Sequence, residues 1–143
     1  MNDPSIRFTI RSATPSDEEA VVELWKACAL TTPYNEPNLD FRFASQKPGS
    51  DVLVAVDDAE RIVGSVLVGH DGHRGWIYYV AAAPDTRQQG VGRAIVEAAE
   101  AWLRGEGVAK VQLMIRETNI AVRDFYEKLG YEHTPRTVMA KWL

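Results

Sequence analysis

Polar and apolar positions alternate over residues 6–10, which predicts a β-strand with one face toward a core. The period then changes. Thr14-Pro15-Ser16-Asp17 carries a cap hydroxyl, a proline at the first helical position and an acid three residues after the cap, the signature of a helix start. Val21, Leu24, Trp25 and Cys28 follow on one helical face. Residues 31–37 hold two prolines and an asparagine and read as a loop, and 39–46 as a short second helix. The β-rich runs 51–56 and 61–69 flank the polar turn Asp57-Asp58-Ala59-Glu60, as in a hairpin. A second turn, 70–75, leads to a strand over 76–82 that Pro84 ends. Val91, Ile95, Ala98, Ala99, Trp102 and Leu103 then lie on one face of a long helix, closed by Gly105 and Gly107. A strand is predicted over 110–115 and a helix over 119–129, with Val122, Phe125, Tyr126 and Leu129 on one face. Closing strands are predicted at 131–132 and 137–142. Only the second half alternates strand and helix. The class is therefore α+β with a mixed sheet, antiparallel early and with one parallel crossover around the long helix.

Size and composition add limits. The 143 residues suit one domain spanning 1–143, and 45% hydrophobic with 25% charged residues is a globular balance. The one cysteine, Cys28, rules out an internal disulfide and fits a reducing compartment. Met1-Asn2-Asp3-Pro4 has neither a basic nor an apolar stretch of a secretion signal, and no apolar run is long enough for a membrane span, so a cytoplasmic location is expected. Net charge is −4 with both signs interspersed, which argues against nucleic acid or membrane as the main partner.

Candidate chemistry enters at the mouth of the long helix. The first N–H groups of a helix lack partners inside it, and glycines at 90 and 92 let another molecule approach the backbone. Arg87 and Arg93 bracket the turn with positive charge. An anion such as a diphosphate suits this arrangement, and so does a plain strand–helix turn that uses glycine for its geometry. The dinucleotide fingerprint fails because Ile95 stands where Gly or Ala is needed. The nucleoside-triphosphate loop fails because no Gly-Lys-Ser/Thr is present.

A third pattern fits. Arg87-Gln88-Gln89-Gly90-Val91-Gly92, behind the strand–Pro–x–x–Arg run that ends at Arg87, resembles the acyl-CoA pyrophosphate loop of the GCN5-related N-acetyltransferases, the GNAT family. Downstream, Asn119-Ile120-Ala121-Val122-Arg123-Asp124-Phe125-Tyr126 through Gly130-Tyr131 is similar to that family's second motif. A narrower likeness, to the small bacterial YpeA-like acetyltransferases, lies in Leu24-Trp25, Cys28, residues 33–37, residues 71–75 and Tyr78-Tyr79. The resemblance implies a GNAT fold: a single mixed, mostly antiparallel sheet of six to seven strands, a central β-α-β crossover and helices on both faces. It implies acetyl-CoA as donor and an amine, small molecule or peptide, as acceptor. The alternative is a non-catalytic acyl-CoA-binding or sensing module.

The same resemblance assigns backbone groups of Val80 and Ala82 to the pantetheine arm. It assigns the N–H groups of Arg87, Gln88, Gln89, Gly90, Val91, Gly92 and Arg93 to the diphosphate, and Asn119 to the cofactor unless it is a plain helix cap. Tyr126 stands where the family often has the general acid for the leaving thiolate; as a bare residue it also suits a core position. Tyr78 stands where many relatives carry a glutamate base. The base is left open among Asp71, His73, Glu36 and a water chain past Tyr78. Trp25, Tyr34, Glu36 and Asp40 are candidates for the acceptor's surroundings. No metal site is expected: His70 and His73 have no third soft ligand nearby in sequence. Cys28, on an apolar helical face, behaves as a small hydrophobe rather than a nucleophile. A homodimer through the 137–142 strand is a further expectation.

Overall fold

The structure, a computed structural model, describes residues 6–143. β1 is Phe8–Ser12, and a 3-10 turn, Pro15–Asp17, leads into α1, Glu18–Ala27. α2 is Pro37–Ala44, β2 Ser50–Asp57, β3 Ile62–His70 and β4 Gly75–Ala82. A second 3-10 turn, Pro84–Thr86, precedes α3, Val91–Gly105; β5 is Val111–Gln112 and α4 Ile120–Lys128. The chain falls into a first unit ending at Leu113 and a second, Met114–Leu143.

In the first unit the strands form one sheet in the order β1-β2-β3-β4-β5. The first four are antiparallel in sequence order, and β5 joins β4 in parallel after the α3 crossover. Both faces of the sheet are covered. Gly64 lies so close to α3 that a Cβ there would sit 2.6 Å from Val91 Cγ1. The next residue, Ser65, points the other way and takes a hydrogen bond from Trp25 Nε1 of α1 at 2.8 Å. Neighbouring strand residues face opposite sides, so α1 and α3 cover opposite faces. That is why Val52, Leu53, Val54 and Ala55 are all buried in a row and the strand reads as a continuous apolar run.

The helix start at Thr14 forms as its residues dictate: the Asp17 carboxylate accepts from the Thr14 backbone N–H at 2.8 Å. α2 begins at Pro37, two residues ahead of the predicted start, because proline suits the first helical position. It is fixed to α1 by Glu18, which accepts from Arg42 at 2.8 and 2.9 Å and from Asn38 at 2.9 Å.

The strand count corrects the expectation of six to seven. The described residues hold five strands. The predicted 110–115 strand shrinks to Val111–Gln112, and neither 131–132 nor 137–142 is a strand. Alternation gives a segment two distinct faces, but a strand also needs its N–H and C=O groups paired along an edge. In the second unit, Val138 and Met139 are 65% and 88% exposed, so these apolar positions of 137–142 do not form a buried face.

Candidate active site

β4 and the turn behind it carry the site. β5 pairs only with Gly75 and Trp76, so the edge of β4 over 77–82 runs on past the end of β5. Opposite it, the register with β3 slips between Ser65 and Leu67, so that Tyr79 and Val80 stand against Val66 alone. This is a β-bulge, and Tyr79 holds φ at +54°, a left-handed conformation that a tyrosine adopts only under constraint.

Three contacts supply that constraint. The Tyr79 ring stacks on Trp25 with centroids 3.9 Å apart and 9° between planes. Its hydroxyl donates to Asp40 Oδ2 of α2 at 2.6 Å. Its carbonyl lies 3.5 Å from Ser65 Oγ. Burial, followed by the bond to Asp40, pushes the Tyr79 phenol well above its ordinary range, so it remains a donor. Tyr78, in contrast, is exposed, and partial burial raises its phenol more modestly.

Past Ala82 the chain turns sharply. Ala83 N–H donates to Val63 C=O at 2.8 Å, and Thr86 closes the turn by donating to Ala83 C=O from both its backbone N–H and its hydroxyl, each at 2.8 Å. Arg61 grips the Asp85 carboxylate through both guanidinium nitrogens and holds it below the usual carboxylate range. Gln89 Oε1 accepts from the Ile6 N–H at 3.2 Å. Gly90 then caps α3 with φ +85°, and a Cβ there would meet nothing within 4 Å. There is space beside Gly90, the first N–H groups of α3 have no partner within the helix, and its first turn contains no acid. Arg87, Gln88 and Arg93 are exposed around it, Gln89 and Gly92 half-buried, and Val91 packs inward on Gly64.

The other predicted residues fall in different places. Val80 and Ala82 are on the open edge of β4, and the Cys28 thiol donates to the Ala82 carbonyl at 3.2 Å. Trp25 is fully buried against Tyr79, so its ring has no surface left to wall an acceptor; a large aromatic on an apolar helix face goes into the core first. Tyr34 and Glu36 are exposed on the loop before α2. His73 and Asp71 sit in the β3–β4 turn, at the opposite end of β4 from Gly90, roughly 20 Å away along the strand. The N–H groups of Arg74 and His73 donate to Asp71 Oδ1, both at 2.8 Å, and hold that carboxyl below its ordinary range. Asp71 is therefore a weak proton acceptor committed to its turn.

In the second unit Asn119 caps α4, its Oδ1 accepting from the Val122 N–H at 3.3 Å. Tyr126 is buried edge-on to Phe125 and Tyr131, at 5.0 and 5.4 Å between centroids, and burial pushes its phenol up to about 12.

The family described as "Acetyltransferase (GNAT) family" matches residues 18–131. This chain belongs to the GNAT acetyltransferases. It is 41% identical over 134 residues to a protein named an acetyltransferase from Pectobacterium atrosepticum, covering 94% of each chain. It is 42% identical over 131 residues to another from Yersinia enterocolitica, covering 91% of each. Among solved structures, the aminoglycoside N-acetyltransferase AAC(6')-Iy, in complex with CoA, shares the fold at TM-score 0.83 and 16% identity, with 99% of each chain covered. A putative acetyltransferase from Agrobacterium tumefaciens shares it at TM-score 0.78 and 22% identity, covering 94% of this chain and 99% of that one.

Sequence reasoning alone does not find two features of this GNAT acetyltransferase. One is the bulge at Tyr79, which has no glycine to announce it. The other is the meeting of Asp40 with Tyr79 across 39 positions of sequence. No residue spacing along the chain signals that contact.

Proposed function

We propose that this acetyltransferase moves the acetyl group of acetyl-CoA to a primary amine by direct attack, with the head of α3 holding the diphosphate. The observation that carries this is the Gly90 turn: left-handed, open where a side chain would stand, and leading into a helix with no acid in its first turn. The positive end of the helix favours an anion there, and Arg87 and Arg93 add charge. The β4 edge beyond Trp76 supports the assignment of the pantetheine arm, because Val80 and Ala82 are on backbone that β5 does not cover. An extended amide chain bonds to such an edge much as another strand would.

The reaction then needs the thioester held beside the amine, the amine freed of a proton and the thiolate protonated as it leaves. The family resemblance gives the last role to Tyr126 and a cofactor contact to Asn119. Tyr34, Glu36 and Tyr78 are the acceptor-side residues of this proposal, whose exposed acid suits a cationic amine. The family match crosses the boundary between the two units, which supports treating residues 1–143 as one acetyltransferase domain. The bacterial relatives and the lone Cys28 favour a bacterial cytoplasm as the setting.

Calorimetry with acetyl-CoA tests the donor site: specific binding is expected, and Gly92→Leu should weaken it by at least tenfold. Thiol release across spermidine, lysine, glucosamine and an alanyl peptide tests the chemistry. An absence of binding at millimolar acetyl-CoA overturns the donor assignment, and an absence of thiol release with every amine overturns catalysis.

A further inference from the structure

An acceptor amine is an ammonium ion near neutral pH, so a group at the site must take its proton before attack. β4 offers no carboxylate: Trp76, Ile77, Tyr78 and Tyr79 occupy its middle. The fold brings one there from another element. Asp40, in the first turn of α2, is half-buried and accepts from the Tyr79 hydroxyl at 2.6 Å; Tyr79 is the bulged residue of β4, between the exposed Tyr78 and Val80 in sequence. We propose that Asp40 is the general base, receiving the amine proton directly or across one water while Tyr79 fixes its orientation. The inference rests on the acetyl-transfer function proposed above.

Several of the charged groups around Asp40 are engaged with other partners. From β4 it meets Tyr79, which occupies Oδ2 as a donor. On α1, which packs on α2, Glu18 is taken by Arg42 and Asn38, and Glu23 pairs with Lys26. On β2, Asp51 is closed by Ser12 and by the Gln46 N–H, and on β3, His70 pairs with Glu106. At the mouth of α2, Glu36 caps the helix, its carbonyl accepting from the Asp40 N–H at 3.1 Å and its side chain exposed, whereas Asp40 is half-buried against β4. The Tyr79 phenol, pushed up by burial, keeps its proton and leaves proton exchange to the carboxylate.

The Asp40 carboxylate takes one proton from the ammonium, giving a neutral amine. The nitrogen lone pair forms the C–N bond to the thioester carbonyl carbon. The C–S bond breaks with its electron pair on sulfur, and the second nitrogen proton passes to that sulfur. Asp40 returns its proton to solvent.

Two variants test this with the fastest amine of the panel, reading kcat/KM from pH 5 to 9 beside acetyl-CoA affinity and unfolding temperature. Asp40→Asn keeps an oxygen for the Tyr79 hydroxyl. It should lower kcat/KM about 100-fold and remove the acid limb of the profile, with acetyl-CoA affinity unchanged. Tyr79→Phe removes the donor that orients the carboxylate and should lower kcat/KM about tenfold, less than Asp40→Asn, with acetyl-CoA affinity unchanged. Asp40→Asn with near wild-type kcat/KM across the range would overturn the proposal, as would a loss of acetyl-CoA affinity in step with turnover. A wild-type chain that binds acetyl-CoA but releases no thiol with any amine would overturn the acetyl-transfer function, and this inference with it.

Discussion

Trp25 lies flat on Tyr79, with centroids 3.9 Å apart, and the tyrosine so covered is the one whose backbone is left-handed. The stack, the Trp25–Ser65 hydrogen bond and the Tyr79–Asp40 bond together hold α1, α2 and β4 to one geometry. A strained tyrosine persists only where its surroundings over-determine it.

Removing the indole should therefore be costly. Trp25→Ala should lose about 3–5 kcal/mol of unfolding free energy in urea, the cost of emptying a fully buried aromatic site. Trp25→Phe keeps an aromatic surface but leaves the buried Ser65 hydroxyl without its donor. It should lose about 1–3 kcal/mol. Equal losses for the two variants would show that the hydrogen bond contributes nothing.

Gly64 sets how closely α3 can lie on the sheet. In Gly64→Ala the new Cβ meets Val91 Cγ1 at 2.6 Å, with Ala55 Cβ and the Ala81 carbonyl both at 3.3 Å, so the first turn of α3 must lift. Overpacking of this kind should lose about 1–3 kcal/mol, and acetyl-CoA affinity should fall with it. Adding Val91→Ala removes the closest clash and should restore part of both. Chemical denaturation and calorimetry on the single and double variants check this.

Asp17 should make the protein sensitive to acid. Its hydrogen-bonded pairing with Arg11, at 2.7 Å, holds the folded-state carboxyl below the ordinary value despite burial. A depressed folded-state value gives stability that is present above the unfolded value of about 3.9 and lost as pH falls through the folded value. Urea midpoints should accordingly drop as the pH falls below about 4, and more steeply in the wild type than in Arg11→Gln. Parallel curves for the two proteins would remove the pair from the explanation.

Tyr126→Phe should lower kcat about 10- to 100-fold, with the dissociation constant of acetyl-CoA nearly unchanged, if the hydroxyl protonates the leaving thiolate. A phenol pushed up to about 12 stays protonated across the working range, so the wild-type rate should show no alkaline loss from this group below pH 9. Rate measurements beside calorimetry separate the acid role from a packing role in which Phe serves equally well.

The pattern of apolar residues determined most of the architecture. Trp25 and Val21 on one helix face, the hairpin around Asp57–Glu60 and the long stripe from Val91 to Leu103 are local periodicities, and local periodicity survives into the fold because each burial face forms from near neighbours. The turn at Gly90 was legible as a glycine turn at the mouth of a helix, because it lies in a few consecutive positions; its left-handed φ of +85° came from the structure. Alternation failed at 137–142, where a strand needs an edge to pair with, and an edge is not a property of the segment itself. Only the tertiary structure put Trp25 under Tyr79 instead of beside an acceptor, left Asp71 committed to its own turn and carried Asp40 to the centre of β4. Those contacts join residues far apart in the chain. Which distant groups meet is decided by how helices and sheet pack, a three-dimensional fit that no spacing along one strand or helix encodes.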